Sequence, residues 1–136
     1  MRRALLALAL AWAGCAGAGG DVASATMALS TSGLSPADVG AVEVLVLGGA
    51  GASCARALAA GSPLDDPGLE VVAHALFTVD GTAKHLSIPA NRPLLFYAEA
   101  YRSTVAPRTR VGRGCVQQTL GAGASTGVMI AISSGE

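Results

Sequence analysis

Apolar and polar residues alternate with a period of two along most of the chain after residue 20, which is the pattern of strands with one buried face. The strands predicted in this way are Val42–Leu47, Glu70–Val79, Lys84–Ile88, Leu94–Tyr101, Val111–Leu120 and Thr126–Ser133, and the Ala/Ser/Thr-rich segment Val22–Ser32 is expected to be a weak first strand. No long stretch has the helical period of 3.6 residues, although Ala55–Ala60 is compatible with a turn or two of helix. Short strands at this spacing predict an all-β domain, specifically a single antiparallel β-sandwich of about seven strands.

The segment 86–101, LSIPANRPLLFYAEAY, is the strongest local signal. Pro89 and Pro93 exclude a helix, since each lacks the N–H that a helix interior requires, so we expect a strand, a tight connection and a second strand. The second strand carries both tyrosines of the chain and is predicted to be central. Its expected core face is Leu94, Phe96, Ala98 and Ala100, with Leu95, Tyr97, Glu99 and Tyr101 on the other face.

Two neighbouring strands give further expectations. In Glu70–Val79 the alternation predicts a core face made of Val71, Ala73, Ala75, Phe77 and Val79. Asp80-Gly81 follows and predicts a hairpin turn, because both residues of such a turn take positive φ. In Val111–Leu120 the glycines indicate a bulge.

The first residues have the organisation of a secretory signal peptide. Met1-Arg2-Arg3 is a positive start, residues 4–13 are apolar, and small residues follow. The apolar run is about half of the ~20 residues that a membrane-spanning helix needs. We therefore expect residues 1–14 to be a signal peptide, the alternative being an ordinary buried N-terminal helix.

Trp12-Ala13-Gly14-Cys15 resembles the lipobox of bacterial lipoproteins. The resemblance implies that Cys15 is lipidated and becomes the mature N-terminus, anchoring the protein to a membrane. Trp12 stands where leucine is usual, which leaves open plain cleavage by a general signal peptidase. Residues 15–22 would then form a flexible tether, with the β-sandwich domain at 23–136. Ala16, where an Asp tends to retain lipoproteins at the inner membrane, favours the outer membrane.

Cys54 and Cys115 remain as an even pair. In an exported protein such a pair is expected to form a disulfide, which would close a loop of about sixty residues and contribute roughly 4 kcal/mol. The alternatives are two buried free thiols, or a site in which one cysteine reacts.

Composition excludes some classes of partner. The 136 residues are 51% hydrophobic and 13% charged, with a formal net charge of zero, which argues against both disorder and nucleic-acid binding. Removal of residues 1–14 would leave seven basic and nine acidic residues. Four of these basic residues gather within twelve positions, either as a solvated loop and strand edge or as a surface facing lipid headgroups or another anionic surface: Arg102, Arg108, Arg110 and Arg113.

Candidate chemistry is sparse. The segment Val44–Cys54 is similar to the glycine loop of a dinucleotide-binding fold, but Cys54 replaces the third glycine and no βαβ repeat follows, so we expect no cofactor. His74 and His85, the only histidines, fall outside the expected core face and match neither a catalytic triad nor a zinc site. Asp65-Asp66 is interpreted as a solvated turn, and no metal is expected.

The run from Gly81 through Tyr101 resembles the "Gly…Leu-x-x-Pro-Ala-Gly" hairpin of prealbumin-like and carboxypeptidase-regulatory-like β-sandwiches, with Asn91 in place of the usual glycine. With Cys54, the Gly114-Cys115 strand and the closing Val-x-Ile-x-Ile strand, the chain also resembles small bacterial lipoproteins of myxobacterial type. The resemblance implies a seven-strand sandwich and transfers no functional residue.

The sequence therefore predicts a lipid-anchored protein of the cell envelope, at the outer membrane or cell surface on its periplasmic or extracellular face. We expect a non-enzymatic accessory or binding module whose partner is a protein or a glycan. The alternatives are a small envelope hydrolase or redox enzyme that uses Cys54 or His74, and a purely structural spacer.

Overall fold

The structure is a computed structural model that describes residues 21–32, 34–59, 61–78, 84–105 and 107–134. The predicted signal peptide at 1–14, Cys15 and residues 16–20 of the tether lie outside the described residues. So does the predicted turn at Asp80-Gly81.

The described residues form seven strands, which confirms an all-β fold with about seven strands. The strands are β1 (Val22–Ser32), β2 (Ala41–Gly48), β3 (Glu70–Thr78), β4 (Lys84–Pro89), β5 (Pro93–Tyr101), β6 (Arg110–Thr119) and β7 (Ser125–Ser133). A short helix, α1 (Cys54–Ala59), follows β2, and two 3-10 turns lie at Pro36–Asp38 and Pro63–Asp65.

The strands pair in the order β3-β2-β5-β6-β7-β1-β4. All pairs are antiparallel except β1 and β7, the first and last strands, which run parallel. Parallel neighbours need a long connection, and here the intervening chain supplies it. The predicted central strand, β5, lies between β2 and β6, as expected.

The sheet curls into a nearly closed barrel. Its two edge strands, β3 and β4, contact one another, while β6 and β7 share a ladder only where Arg113 faces Ser133. The narrow junction joins a four-stranded part to a three-stranded part. Hydrogen bonding therefore makes one continuous mixed sheet, and the two separate antiparallel sheets of the expected sandwich are not confirmed.

The main core fills the space between the two parts of the sheet. Its fully buried members include the inward residues Val44 and Val46 of β2 and the expected core faces of β5 and β7: Leu94, Phe96, Ala98, Ala100, Val128, Ile130 and Ile132. Burying each large aliphatic side chain stabilises the fold by about 1.5–3 kcal/mol.

The predicted core face of β3 is partly wrong. Ala73, Ala75 and Phe77 contact the main core, but Val71 is 42% exposed. The pairing of β2 with β3 shifts register between Val46 and Leu47, so Val71 pairs with Leu47 and shares its outward face. A bulge of this kind adds one residue and reverses the side on which the following side chains lie.

A second apolar cluster lies on the outward face of the sheet. Leu45, Leu47, Leu95 and Tyr97 are buried there beneath the connection 49–69, which contributes Ala57 of α1 and Leu69. The Ser53 hydroxyl accepts the amide N–H of Arg56 and so caps the first turn of α1. This connection is therefore a cover over one half of the sheet.

The two ends of the sheet can be distinguished by their turns. The proximal end comprises the start of β1 at Val22, the connection Ala90–Arg92 and the turn Gly121–Ala124, joined by bonds such as Gly123 N–H to the Val22 carbonyl (2.9 Å). The distal end comprises the turn Ser35–Asp38 and the connection 102–109, where the Gly40 amide donates to the Tyr101 carbonyl (2.8 Å). Asp21, the first described residue, lies at the proximal end, where its carbonyl accepts the Ala90 amide.

Candidate functional site

The outward face of β2, β5 and β6, beside the covered cluster, holds most of the interacting charged side chains of the described chain. In the ladders, Glu43 lies opposite Glu99, and Glu99 lies opposite Arg113. Opposite residues of a ladder project from the same face, so these side chains meet. We call the following set the polar network: Glu43, His74, Tyr97, Glu99, Tyr101, Arg108, Arg110 and Arg113.

Glu99 is the centre of the polar network. Its carboxylate accepts hydrogen bonds from the hydroxyls of Tyr97 and Tyr101 and from Nη1 of Arg110 (3.1 Å). Burial raises the pKa of Glu99, but the hydrogen bonds from Tyr101, Tyr97 and Arg110 together outweigh burial and hold its pKa below the usual value. Glu99 is therefore an ionised, well-satisfied acceptor.

The two tyrosines remain neutral donors over a wide range of pH. Burial, followed by the hydrogen bond to Glu99, raises the pKa of Tyr97 to about 12. The same two causes raise the pKa of Tyr101 above its usual value. Ionising either hydroxyl would place a second negative charge against Glu99, which is why the neutral form is favoured.

Glu43 is held from two directions. Its carboxylate contacts Nε2 of His74 at 3.1 Å and accepts a hydrogen bond from Nη2 of Arg108 at 3.2 Å. The Arg108 guanidinium also lies over the Tyr101 ring, 4.5 Å from the centroid, which is a cation–π geometry. Arg108 thus links the two carboxylate sites.

The connection 49–69 is fastened to the polar network and to itself. Nη1 of Arg110 donates to the Gly61 carbonyl at 3.1 Å. Within the connection, Arg56 and Asp66 form a bidentate pair at 2.6 and 2.7 Å, and the Gly68 amide donates to the same carboxylate. Hydrogen bonds from Arg56 and then from Gly68 lower the pKa of Asp66. The interpretation of Asp65-Asp66 as a solvated turn therefore holds only for the exposed Asp65, since Asp66 is an ion-pair partner.

The predicted disulfide is present. Cys54, at the start of α1, is bonded to Cys115 of β6, with the Cα atoms 5.6 Å apart. Cys115 lies opposite Tyr97 in the ladder of β5 and β6, so the bond fastens α1 directly over the second apolar cluster. The alternatives of free thiols or of a reactive cysteine do not describe this arrangement.

Both histidines are exposed on outward strand faces, as the sequence indicated. His74 contacts Glu43, whereas Nδ1 of His85 lies 2.9 Å from the hydroxyl of Thr26 on the neighbouring strand. A hydrolytic triad needs one histidine that contacts both a nucleophile and an orienting carboxylate. Here His74 contacts a carboxylate, that of Glu43, and His85 contacts a hydroxyl, that of Thr26.

The glycine loop after β2 does not form a dinucleotide site. Gly49 and Gly51 have positive φ, and a short helix does follow, but the neighbours of β2 in the sheet, β3 and β5, are both antiparallel to it. A dinucleotide-binding unit requires a parallel neighbour reached through a longer helix. The loop instead starts the cover over the second apolar cluster.

Two kinds of feature are absent from the described part of the chain. Within residues 21–32, 34–59, 61–78, 84–105 and 107–134, no three His, Cys, Asp or Glu side chains converge as metal ligands. Over the same ranges, no helix is both long and apolar enough to cross a bilayer.

The comparisons with known proteins give no family. Neither a scan against models of known protein families nor a search of curated proteins finds a match for this chain.

The arginine cluster that the sequence indicates lies at this site, but the partners of its side chains are not predicted by the sequence. Three of its members, Arg108, Arg110 and Arg113, contact the part-buried Glu43 and Glu99 and the buried Tyr97 rather than solvent alone. The available signal was the outward set of β5, in which a charged residue lies between two tyrosines. Glu43 and Arg113 lie beside Glu99 because of the register of β2 and β6 with β5, and the sequence of one strand does not reveal that register.

Proposed function

We propose that the protein is a lipid-anchored component of the cell envelope that acts as a non-enzymatic binding module. The observation that carries the proposal is the Cys54–Cys115 disulfide, which joins α1 to β6 in a chain whose first residues have the pattern of a signal peptide. Disulfides of this structural kind persist in oxidising compartments, including the bacterial periplasm and the cell surface.

The position of Asp21 is compatible with anchoring through Cys15. The Asp21 carbonyl accepts the Ala90 amide at 3.0 Å, so the chain is fixed to the proximal end from this residue onward. The six peptide units from Cys15 to Asp21 can span at most about 20 Å. A lipid on Cys15 would hold the proximal end close to the membrane and would leave the polar network free to meet a partner.

The electrostatics of the polar network support binding rather than acid–base catalysis. A general acid or base works best with a pKa near the working pH. Here the pKa of Tyr97 is raised to about 12 and the pKa of Glu99 is lowered, so both pKa values are shifted away from pH 7. Such a network is suited to presenting a rigid surface of donors.

The anchor is tested by producing the full chain in a bacterial host and comparing it with the Cys15→Ser variant. The proposal predicts that the unaltered chain sediments with membranes and that its N-terminal peptide begins at Cys15 with the mass of attached acyl chains. The Cys15→Ser variant should lose both properties. Thiol labelling without reductant should leave Cys54 and Cys115 unmodified in both proteins. A cytoplasmic chain that retains Met1 and in which both Cys54 and Cys115 react with the label would overturn the proposal.

A further inference from the structure

The outward face at the distal end has more positive charge than its carboxylates neutralise. We call the arginine surface the group formed by Tyr101, Arg108, Arg110 and Arg113, which surrounds the two carboxylates of Glu43 and Glu99, together with Arg102, the exposed residue that follows Tyr101 in the chain. Three guanidinium groups thus accompany these two carboxylates, and Arg102 adds a fourth cation at the distal end. The four guanidinium groups outnumber the three carboxylates of Glu43, Glu99 and Asp38, the last of which belongs to the turn Ser35–Asp38.

Hydrogen-bond donors are in excess as well. Arg108 donates to Glu43 from one nitrogen, and Arg110 donates to Glu99 and to the Gly61 carbonyl from a single nitrogen. A guanidinium carries five N–H donors, so these contacts with described residues use only a minority of the donors on each side chain. Arg102 is exposed beside them, with its backbone fixed by the bond from its amide to the Thr109 carbonyl (3.0 Å).

The guanidinium groups are held in place before any ligand arrives. Arg108 is fixed between the Glu43 carboxylate and the Tyr101 ring, and Arg110 between Glu99 and the cover. A planar guanidinium that is already ordered loses less conformational freedom when it binds an anion. The surface is thus prepared for planar, bidentate partners, of which carboxylates are one class.

The position of this surface decides between a lipid headgroup and a soluble anion. The arginine surface is separated from Asp21 by the length of β5, nine residues or about 30 Å. A tether from Cys15 reaches only about 20 Å. The proximal end, where Glu70 and Arg92 form a loose pair at 3.7 Å, is the part of the domain held towards an anchored bilayer.

We propose that the arginine surface binds an acidic polysaccharide through the carboxylates of its sugars, an inference that rests on the proposed envelope location. A polysaccharide carries repeated anionic groups along one chain, so several guanidinium groups can be engaged at once. Nucleic acid, the other repeated polyanion, is not the expected occupant of a compartment that preserves disulfides.

The test uses purified full chain, polygalacturonate as the acidic polysaccharide, dextran as the neutral one, and phosphatidylglycerol vesicles as the lipid arm. Binding to polygalacturonate is expected to weaken with added salt, because screening reduces attraction between exposed charges. Dextran should not bind. Arg108→Gln is expected to weaken polygalacturonate binding about tenfold, since it removes charge-assisted hydrogen bonds.

Arg92→Gln is the matched control, because it also removes one charge and one ion pair, but at the proximal end. It should leave binding to polygalacturonate within about twofold, the range expected when no contact is lost. Arg102→Gln is a second test variant, since Arg102 is exposed and lies outside the contacts of the polar network. Its binding should also weaken, even if Arg108→Gln disturbs the fold.

Three results would overturn the proposal: no binding to polygalacturonate, equal weakening by Arg92→Gln and Arg108→Gln, or Arg108-dependent binding to vesicles in preference to polygalacturonate. The mass of the N-terminal peptide, measured on the same samples, reports the anchor independently. A lipidated chain that ignores polygalacturonate contradicts this inference alone, whereas an unlipidated chain in the cytoplasm contradicts the proposed function.

Discussion

Glu43 and Glu99 lie directly opposite each other on β2 and β5. Like charges at opposite positions of a ladder destabilise a sheet unless each is neutralised. Here Glu43 is bonded by Arg108, and Glu99 by Arg110 and two tyrosines. The stability of this face of the sheet therefore depends on Arg108 and Arg110, which lie outside β2 and β5 and neutralise the two carboxylates.

Acid should weaken the fold through Glu99. Its pKa is lower in the folded protein than in the unfolded chain, so its contribution is fully present above the unfolded value of about 4.3 and is lost as the pH falls through the folded value. Glu99→Gln should lower the free energy of unfolding by about 1–3 kcal/mol at neutral pH, because bonds to a charged acceptor are lost. It should also show a shallower acid dependence. Urea unfolding across the acid range measures both effects.

Glu70→Gln is the control for that experiment. Glu70 is also acidic, but its side chain is 64% exposed and its pair with Arg92 is long, at 3.7 Å. Exposed pairs of this kind contribute at most about 1 kcal/mol. If Glu70→Gln flattened the acid dependence as much as Glu99→Gln, the role given to the polar network would be wrong.

Alkali should act through the tyrosines. Tyr97 and Tyr101 are the only tyrosines, so the tyrosinate absorbance of the native protein reports on them alone. Their folded pKa values are raised, to about 12 for Tyr97. Their contribution to stability is therefore present below the unfolded value of about 10 and is lost as the pH rises towards the folded values. The native absorbance should rise later than that of the protein in denaturant.

The variant Tyr97→Phe distinguishes the contribution of the Tyr97 hydroxyl from that of Tyr101. The variant keeps the ring in the second apolar cluster but removes the hydroxyl that bonds Glu99. We expect a loss of about 1 kcal/mol at neutral pH and a smaller loss of stability in alkali than in the unaltered protein. Native tyrosines that ionise near pH 10, a value expected for unperturbed groups, would contradict the geometry.

The strands were predictable because burial of one face imposes a period of two on the sequence. Leu94, Phe96, Ala98 and Ala100 show this directly, since the residues predicted inward are all buried. Val71 lies on the face opposite to the predicted one because a bulge is a relation between two strands, and its signal is absent from β3 taken alone. The same limit applies to the expected sandwich, which depends on how β6 and β7 meet.

The candidate site was less predictable than the strands. The cysteine pair could be inferred from their number and the expected compartment, because a disulfide depends on only two residues. The polar network depends on register across β2, β5 and β6, which is set by the packing of the entire core. Alternation placed Tyr97 and Glu99 on one face, but their charge partners come from other strands.

Removal of the disulfide should destabilise the protein substantially. The bond joins residues 61 positions apart, and the chain-entropy relation gives about 4 kcal/mol for a loop of this length. The double variant Cys54→Ala/Cys115→Ala should lose about this amount in urea unfolding. Because the bond holds α1 over Leu47 and Tyr97, the variant should also bind a hydrophobic dye more strongly.

Reduction of the unaltered protein is the companion measurement for the disulfide. A thiol reductant should bring its free energy of unfolding close to that of the double variant, and it should leave the double variant unchanged. If the double variant retained the stability of the oxidised protein, the bond would not be a structural element of the fold.

The close approach of β6 and β7 at Gly114 predicts a large effect of adding a single Cβ atom. A Cβ on Gly114 would overlap the carbonyl oxygen of Ala131 in the β7 backbone, so the two strands could not approach as they do. Gly114→Ala should therefore lower the free energy of unfolding by about 1–3 kcal/mol, the range for overpacking.

Gly127→Ala, on β7, is the matched control, because a Cβ there meets nothing within 4 Å and the residue is exposed. Its change should be within about 1 kcal/mol and towards greater stability, since alanine restricts the unfolded chain. Equal effects of the two substitutions would mean that β6 and β7 are not in close backbone contact, and the single continuous sheet would have to be replaced by two.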